Sequence, residues 1–236
     1  VNRITMSAAG NSNRVCFFGG QQNPAPGPST DVIEFVTIAT TGNATDFGDL
    51  TAAMEYTTAN SSSNPSQQNE TGFAPAAIGL FAGGEPSAGG NQSTIEYIDI
   101  ATTGNSSMFG DLTGKRYIGG LGSGIASATR GVFAGGHIGT GVVDIIEYVT
   151  FSTKSKATDF GNLTSTMYAF GAASNSTRGL GMGGHSGSGV TNVIQYITIA
   201  SAGNATDFGD LNSTSEEGMS LSSTTRAVHA IGFQSG

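Results

Sequence analysis

Pairs of polar side chains three residues apart recur along the chain and could carry acid–base or metal chemistry. The pairs are Asp46 with Asp49, Asp159 with Asn162, and Asp207 with Asp210. Two carboxylates at this spacing can serve as a general acid and base, or hold Ca²⁺ through their oxygens. A catalytic pair is needed once per molecule, whereas this pattern repeats, so we interpret it as structural. We expect the first Asp of each pair to accept backbone N–H bonds in a turn.

Two further residue types recur with these acidic pairs. Phenylalanines follow the first acidic position at Phe47, Phe109, Phe160 and Phe208, and arginines occupy another repeated position at Arg14, Arg130, Arg178 and Arg226. We expect the phenylalanines to pack between neighbouring units of the fold. We expect the arginines to pair with recurrent acids such as Glu34, Glu96 and Glu147.

The histidines His137 and His185 each follow a Gly-Gly pair, which predicts equivalent exposed loops on one face. A zinc site needs at least a third ligand, and His229 occupies a different repeat position. The lone Cys16 excludes an intrachain disulfide, and its place in a predicted strand argues against a Cys–Tyr copper site. We therefore predict no catalytic residue, no metal and no cofactor.

The composition is typical of an all-β protein. The 236 residues include 37 Gly and no Trp, only 11% are charged, and short β-branched and aromatic runs alternate with Gly, Asn and Ser. Almost no helix is expected. One all-β domain spanning residues 1–236 can bury a sizeable core without splitting.

The charge balance excludes two classes of partner. The formal net charge is -8, and the nine Lys and Arg residues are spread along the chain. No basic stripe is present for phosphate contacts, so we predict no nucleic-acid binding and no attraction to an anionic membrane surface. No apolar run approaches the roughly 20 residues that span a bilayer, so no membrane insertion is expected.

An apolar strand followed by a box of the Asp-Phe-Gly-Asp-Leu type occurs four times, with equivalent isoleucines at Ile33, Ile95, Ile146 and Ile194. Met108 replaces the first Asp of the second box, and Asn162 replaces the second Asp of the third. The spacings are 62, 51 and 48 residues. The units cover about 4–50, 53–112, 116–163 and 167–211, with a partial fifth at 216–233. A period near 50 residues with four strands per unit indicates a β-propeller, each unit being a blade. The ring could close as four blades with leftover strands, as five blades completed by other residues, or with another subunit.

Each unit is expected to hold four strands, A to D, separated by Gly, Asn and Ser turns. Strand A precedes the repeated arginine, strand B begins at it, strand C is the Ile-Glu-Tyr run, and strand D carries the box. In unit one these are residues 4–9, 14–20, 32–39 and 46–50. Strand A of the later units is expected at 54–58, 117–124 and 167–173, and the polar stretch 60–75 is expected to be a surface loop.

Most of the chain resembles the kelch repeat. In the run from Arg130 to Phe151, Gly135-Gly136 closes strand B and Tyr148 lies in strand C, while Phe160 stands roughly where kelch repeats place a Trp. Unit two departs from the pattern because Ile78 replaces the arginine. More specifically, residues 95–111 and 194–210 are similar to repeats in tail and fibre proteins of phages infecting marine cyanobacteria. The resemblance implies a kelch-like β-propeller in a virion, acting as an extracellular binding module and not as an enzyme.

The function implied is receptor binding through the loops that do not repeat. Polar loops rich in Asn, Ser and Gly suit carbohydrate, where hydrogen bonds replace water. The expected binding residues are Gln21, Gln22, Asn23, Asn64, Gln67, Gln68, Asn91, His137 and His185. Their partners would be host-surface glycans, other virion proteins or further copies of the chain.

Three alternatives remain open. The propeller could be a lectin outside a virion, or it could be purely architectural. The least favoured is a sialidase-like glycosidase, because Asp46-Phe47-Gly48 loosely resembles the S-x-D-x-G-x-T-W turn of sialidase propellers. Sialidases need three arginines that converge from different contexts, whereas the arginines here share one repeated position.

Overall fold

The computed structural model describes residues 2–24, 27–62, 77–119, 124–230 and 232–234. Every regular element in these ranges is a β-strand, and no helix occurs among them. The all-β prediction is therefore confirmed.

The first sheet has four antiparallel strands, with a short pair beside it. The first six strands are β1 (Arg3–Ile4), β2 (Ser7–Gly10), β3 (Arg14–Phe18), β4 (Gln21–Gln22), β5 (Thr30–Thr37) and β6 (Thr45–Met54). Sheet 1 has the order β2-β3-β5-β6, and β1 pairs separately with β4.

Three more four-stranded sheets follow in chain order. Sheet 2 contains β7 (Thr58–Ser61), β8 (Ile78–Ala82), β9 (Thr94–Asp99) and β10 (Ser107–Asp111). Sheet 3 contains β11 (Ile125–Ala126), β12 (Arg130–Ala134), β13 (Ile145–Thr150) and β14 (Thr158–Asn162). Sheet 4 contains β15 (Gly171–Ser174), β16 (Arg178–Met182), β17 (Val193–Thr198) and β18 (Thr206–Asp210), and a two-stranded sheet of β19 (Met219–Ser222) and β20 (Ala227–Ala230) comes last.

Consecutive sheets pack face to face in a propeller-like arrangement. The inner strands lie side by side in the order β2, β7, β11, β15 and β19. Apolar clusters fill the space between sheets, and the third strand of each following sheet contributes to them, for example Ile98 against Phe18 and Ile197 against Ile146. Strands β9, β13 and β17 are buried or half-buried at most positions, and each places isoleucine or valine on both sides of a tyrosine.

The inner strands begin later than their sequences indicate, which corrects three predicted boundaries. Met54 belongs to β6, while Tyr117 and Met167 lie in the segments before β11 and β15. Asn60 and Ser61, expected in a loop, are buried in β7. The reason is that Asn60 donates from Nδ2 to the carbonyl of Val132 at 3.2 Å and Ser61 donates from Oγ to the carbonyl of Gly10 at 2.6 Å, so polar side chains hold neighbouring sheets together.

Candidate functional site

One face of the molecule is built from the links, the segments that lead from the outer strand of one sheet to the inner strand of the next. One residue in each link forms an antiparallel bridge with the residue that follows a Gly-Gly pair. The bridges join Glu55 to Glu85, Tyr117 to His137, and Tyr168 to His185, and Ile4 pairs with Gln21 at the equivalent place. The repeat therefore delivers non-identical side chains to one face.

Gly135 and Gly136 show why the Gly-Gly pair is required at these junctions. The Gly136 N–H donates to the carbonyl of Met167 in the next link at 2.8 Å. The φ angles of Gly135 and Gly136 are 63° and 117°, and a Cβ on Gly135 would overlap the Met167 carbonyl oxygen. Only glycine combines left-handed backbone with so close an approach.

The links are tied to one another by successive backbone hydrogen bonds. Tyr56 N–H donates to Thr5 C=O at 3.3 Å, Gly119 to Tyr56 at 3.3 Å, Ala169 to Gly119 at 2.8 Å, and Glu217 to Ala169 at 2.8 Å. The same five residues have φ between 45° and 58°. This shared geometry draws the links together.

Five rings contact one another across the links, and we call them the aromatic row: Tyr56, Tyr117, His137, Tyr168 and His185. The Tyr117 ring stacks on His137 with centroids 5.2 Å apart and lies 5.5 Å from Tyr56. Tyr168 meets Tyr117 edge-on at 6.0 Å, His137 at 5.8 Å and His185 at 5.3 Å. All five side chains are half-buried, so the row presents ring surface and polar tips to solvent.

Carboxylates border the row. Glu55 is 5% exposed, and its carboxylate accepts hydrogen bonds from Gln21 Nε2 and Thr5 Oγ1, both at 3.4 Å. Burial raises the pKa of Glu55, opposed by the hydrogen bond from Thr5 and reinforced by the charge of Glu85. The Glu55 carboxyl therefore stays protonated to higher pH than an exposed one.

Burial and the nearby carboxylates also act on the tyrosines. Burial, followed by Tyr168, Glu85 and Tyr56, raises the pKa of Tyr117 to about 12. Burial is likewise the largest cause of the raised pKa values of Tyr56 and Tyr168. All three hydroxyls consequently remain protonated at neutral pH and can donate hydrogen bonds to a ligand.

The structure brings four of the predicted binding residues to this face. His137 and His185 belong to the row, Gln21 contacts Glu55, and Asn91 donates from Nδ2 to the His137 carbonyl at 2.7 Å. The histidines are ring-stacked and half-buried, in contrast to the exposed loop positions that we predicted. Gln22 pairs with Arg3 in the β1–β4 sheet and Asn23 is exposed beyond it. Asn64, Gln67 and Gln68 lie outside the described residues.

The repeated arginines do not pair with the recurrent glutamates, which corrects that prediction. Arg14, Arg130 and Arg178 lie over the rings of Phe35, Tyr148 and Tyr196 at 4.4 to 4.6 Å. Arg14 and Arg130 also donate to the carbonyls of Ala101 and Ile199 in the following sheet, at 2.9 and 2.8 Å. Arg226 is exposed. The cation–π contacts thus lie within single sheets, and the backbone contacts of Arg14 and Arg130 join their sheets to the next.

The glutamates hold the links instead. Glu96 accepts a hydrogen bond from the N–H of Thr51 at 3.0 Å, and Glu147 from that of Thr113 at 2.8 Å. Glu147 also forms a fully buried ion pair with Arg116. Glu34 forms a more exposed ion pair with Arg3. Arg116 and Arg3 precede strand A, whereas the prediction considered only the arginines that begin strand B.

The first aspartate of the box does not have the role predicted for it. Asp46, Asp159 and Asp207 are exposed and accept no hydrogen bond from any described residue, so the predicted turn role is wrong. The backbone N–H groups of Asp49 and Asn162 donate instead to side chains of the neighbouring sheet. The acceptors are the Oδ1 atoms of Asn105 and Asn204, at 3.1 and 3.0 Å.

The box phenylalanines also differ between sheets. Phe47, Phe109 and Phe160 are 2% to 3% exposed, whereas Phe208 is 52% exposed, contrary to the prediction for that residue. The turn between the third and fourth strands of the following sheet covers the first three, as when Gly203 N–H donates to Phe160 C=O at 2.6 Å. The sheet that follows Phe208 has two described strands and supplies no such turn.

Sequence reasoning missed the tyrosines of the row. A signal was present, because Tyr117 and Tyr168 each stand five residues after a box leucine, Leu112 and Leu163. Tyr56 stands six residues after Leu50. These positions were assigned to strand A, where an alternating tyrosine predicts only sheet packing.

The chemistry that this face offers is that of hydroxyl, imidazole and carboxylate groups. Within the described ranges, no group of three or more His, Cys, Asp and Glu side chains is arranged to hold a metal ion. Among the same residues, no helix has the length and apolar character needed to cross a membrane.

Comparison with known proteins supports the fold. No family model matches the chain, and no curated protein matches it. Among the solved structures that match is that of YjhT, which superposes with a TM-score of 0.69 at 13% identity and covers 99% of this chain and 78% of its own. At this identity the likeness establishes a shared propeller-like fold.

The match overturns our prediction that the chain is not an enzyme. That prediction assigned the repeat to binding modules alone, whereas a fold of this kind hosts catalysis as well as binding. The groups gathered at the aromatic row include proton donors and acceptors, which are the groups that acid–base chemistry requires.

Proposed function

We propose that the protein recognises carbohydrate at the aromatic row. The observation that carries the proposal is the mutual contact of five half-buried rings, beside which Gln21 Nε2 donates to the Glu55 carboxylate. Sugar rings present apolar C–H faces and outward hydroxyls, so they match aromatic surfaces bordered by hydrogen-bonding groups. The tyrosines of the row come from three successive links, and Gln21 and Glu55 lie at its edge.

Neutral or amino sugars are the ligand class that this site favours. Glu55, Glu85, Glu216 and Glu217 act electrostatically on the tyrosines of the row, and the chain carries a net charge of -8. A carboxylated sugar would be repelled by this field. The arginines that could offset it are engaged with Phe35, Tyr148 and Tyr196.

Acid–base chemistry on the bound sugar is a second candidate, favoured by Glu55. Its pKa is raised by burial, while its bridge partner Glu85 is half-buried. Carboxyl groups in different environments are the arrangement by which one donates and the other accepts a proton.

The cellular setting remains part of the proposal. We assign the sheets to kelch-type blades, four complete and one partial, on the repeat pattern of residues 4–233. The similarity of residues 95–111 and 194–210 to repeats of phage tail and fibre proteins supports a phage tail or fibre as the location. Host-surface glycans and other virion proteins are then the partners.

A glycan array tests the proposal. The 236-residue chain should bind neutral or amino-containing oligosaccharides and discriminate against sialylated and sulfated ones. Tyr117→Ala should weaken binding at least about tenfold, because it removes the central ring that contacts three others. Release of reducing sugar from the bound glycans, measured in parallel, reports on the acid–base candidate.

Tyr97→Ala is the matched control. Tyr97 is a half-buried tyrosine in β9 with the Lys154 ammonium 4.1 Å from its ring centroid, outside the row. Both variants should be compared at equal folded fraction, judged by thermal unfolding. Equal loss of binding in both variants, or preference for acidic glycans, would contradict the proposal.

A further inference from the structure

The last strand pair has an edge that every earlier sheet uses. The second strands β3, β8, β12 and β16 each pair on one side with the first strand and on the other with the third. Strand β20, which occupies the same place in the repeat, pairs with β19 alone among the described strands. Its other edge carries backbone groups available for a further strand.

The outward face of this pair is apolar and uncovered. Met219, Leu221 and Val228 are 57%, 73% and 65% exposed. Val228 stands two residues after Arg226, where the first three units have Cys16, Leu80 and Val132, all 2% exposed or less, and the fourth has the half-buried Leu180. The face is therefore of the kind that the rest of the molecule buries.

A groove between sheet 4 and the β19–β20 pair matches an element found in the other sheets. Its volume is about 340 Å³, and Leu180, Met182, Ile194, Phe208 and Ala227 contribute to its lining. Between earlier sheets, the equivalent space holds two apolar residues of the following sheet, one in its third strand and one directly after that strand: Ile98 and Ile100, Val149 and Phe151, or Ile197 and Ile199.

Two arginines at the groove lack the contacts of their equivalents. Arg130 donates to the carbonyl of Ile199, the residue directly after the third strand of the following sheet, whereas Arg178 has no such acceptor among the described residues. The guanidinium of Arg178 lies over Tyr196, an aromatic residue of its own third strand, but Arg226 has no ring beneath it in the described part of the chain. One incoming third strand would supply both partners.

The exposed Phe208 side chain indicates the same incoming strand, followed by a turn. Its equivalents Phe47 and Phe160 have carbonyls that accept hydrogen bonds from Gly104 and Gly203, in the turn between the third and fourth strands of the next sheet. A hairpin consisting of a third strand, this turn and a fourth strand would cover the exposed Phe208 ring as well as pair with β20.

We propose that β20, Arg226 and the groove beside Phe208 form a docking site for a β-hairpin with the repeat's own third- and fourth-strand pattern, supplied from outside these 236 residues. The register follows from the three complete sheets whose second strand begins with arginine. Arg14, Arg130 and Arg178 stand opposite Thr37, Thr150 and Thr198, and the residue two places later stands opposite an aromatic. The incoming strand therefore places a threonine opposite Arg226 and an aromatic opposite Val228.

A synthetic peptide of residues 190–212, labelled with fluorescein, is the probe. It reproduces the hairpin of β17 and β18 with its turn. The peptide should bind the 236-residue chain saturably, and hydrogen exchange at Ala227–Ala230 should slow when it binds. Val228→Lys should weaken binding at least about tenfold, because it places a charge in the apolar contact. Ile38→Lys is the matched control, since Ile38 is also 54% exposed but lies on sheet 1, and it should leave binding unchanged.

The peptide has its own control. Ile197→Ser and Ile199→Ser within it should abolish binding, because the groove is then left unfilled. The proposal fails if the labelled peptide does not saturate, if a scrambled peptide binds equally, or if Val228→Lys binds as tightly as the unaltered chain. It also fails if the chain self-associates without peptide and Val228→Lys abolishes that association, because a second copy would then be the occupant.

Discussion

The position four residues after a box leucine holds side chains of different chemistry: Met54, Arg116, Met167 and Ser215. In the third unit it is Arg116, fully buried and paired with Glu147. In the fourth it is Met167, whose sulfur lies 3.6 Å from Nε2 of Gln195. Gln195 and Glu147 occupy equivalent strand positions, each opposite the second strand of its sheet. The repeat thus contains both a charged and a neutral solution to the same packing problem.

This pairing predicts a double-variant rescue. Arg116→Met alone leaves the Glu147 carboxylate buried without its cation and should cost about 3–5 kcal/mol of unfolding free energy. Adding Glu147→Gln reproduces the Met167–Gln195 pair and should restore most of that loss. Urea unfolding of the two single variants and the double variant measures the coupling. If the double variant is no more stable than Arg116→Met, the two positions are not equivalent in the way described.

The outer strands owe their stability to the following sheet as much as to their own. The box glycines Gly48 and Gly161 have φ of 151° and 147°, and a Cβ on either would overlap a carbonyl of the next sheet, that of Gly104 or Gly203. Gly209 has a similar φ of 137°, with no atom within 4 Å of its Cβ position. The three glycines therefore share a backbone conformation, but only Gly48 and Gly161 lie close to the backbone of the next sheet.

Alanine at these two glycines should therefore have unequal effects. Gly161→Ala should destabilise the protein by about 1–3 kcal/mol more than Gly209→Ala, because both pay the conformational cost and only the first displaces the neighbouring turn. Thermal or urea unfolding of the two variants checks this. Equal destabilisation would mean that backbone conformation alone selects glycine in the box.

How well each strand could be predicted depends on what holds it. The third strand of unit one was expected at 32–39 and lies at Thr30–Thr37, close to the prediction because the run from Val32 to Val36 is rich in β-branched and aromatic residues. The inner strands were placed too early. Their cohesion comes from contacts such as Ser61 Oγ donating to the Gly10 carbonyl and Ser222 Oγ to that of Ser174, and small polar residues give no hydrophobic period to read.

For the whole molecule, the sequence predicted an all-β, propeller-like arrangement and not its candidate site. Repetition identified the sheets correctly, and it also directed attention to the exposed, non-repeating loops. The aromatic row arises where the links converge, through hydrogen bonds such as Ala169 N–H to Gly119 C=O. No spacing rule within one unit relates Tyr56 to Tyr117 or Tyr168, because their contacts form between units.

The three histidines of the chain allow the most direct test of carbohydrate recognition at the aromatic row. His137 and His185 belong to the row, whereas His229 lies in β20, hydrogen-bonded to Ser215 and Ser220 at 3.0 and 2.9 Å. The measurement is proton NMR of the histidine ring signals, assigned with His137→Gln and His185→Gln, during titration with the neutral oligosaccharide that binds most tightly on the array. The signals of His137 and His185 should shift saturably together while that of His229 stays fixed. Saturable binding that leaves both row signals in place, or moves His229 alone, would contradict the account.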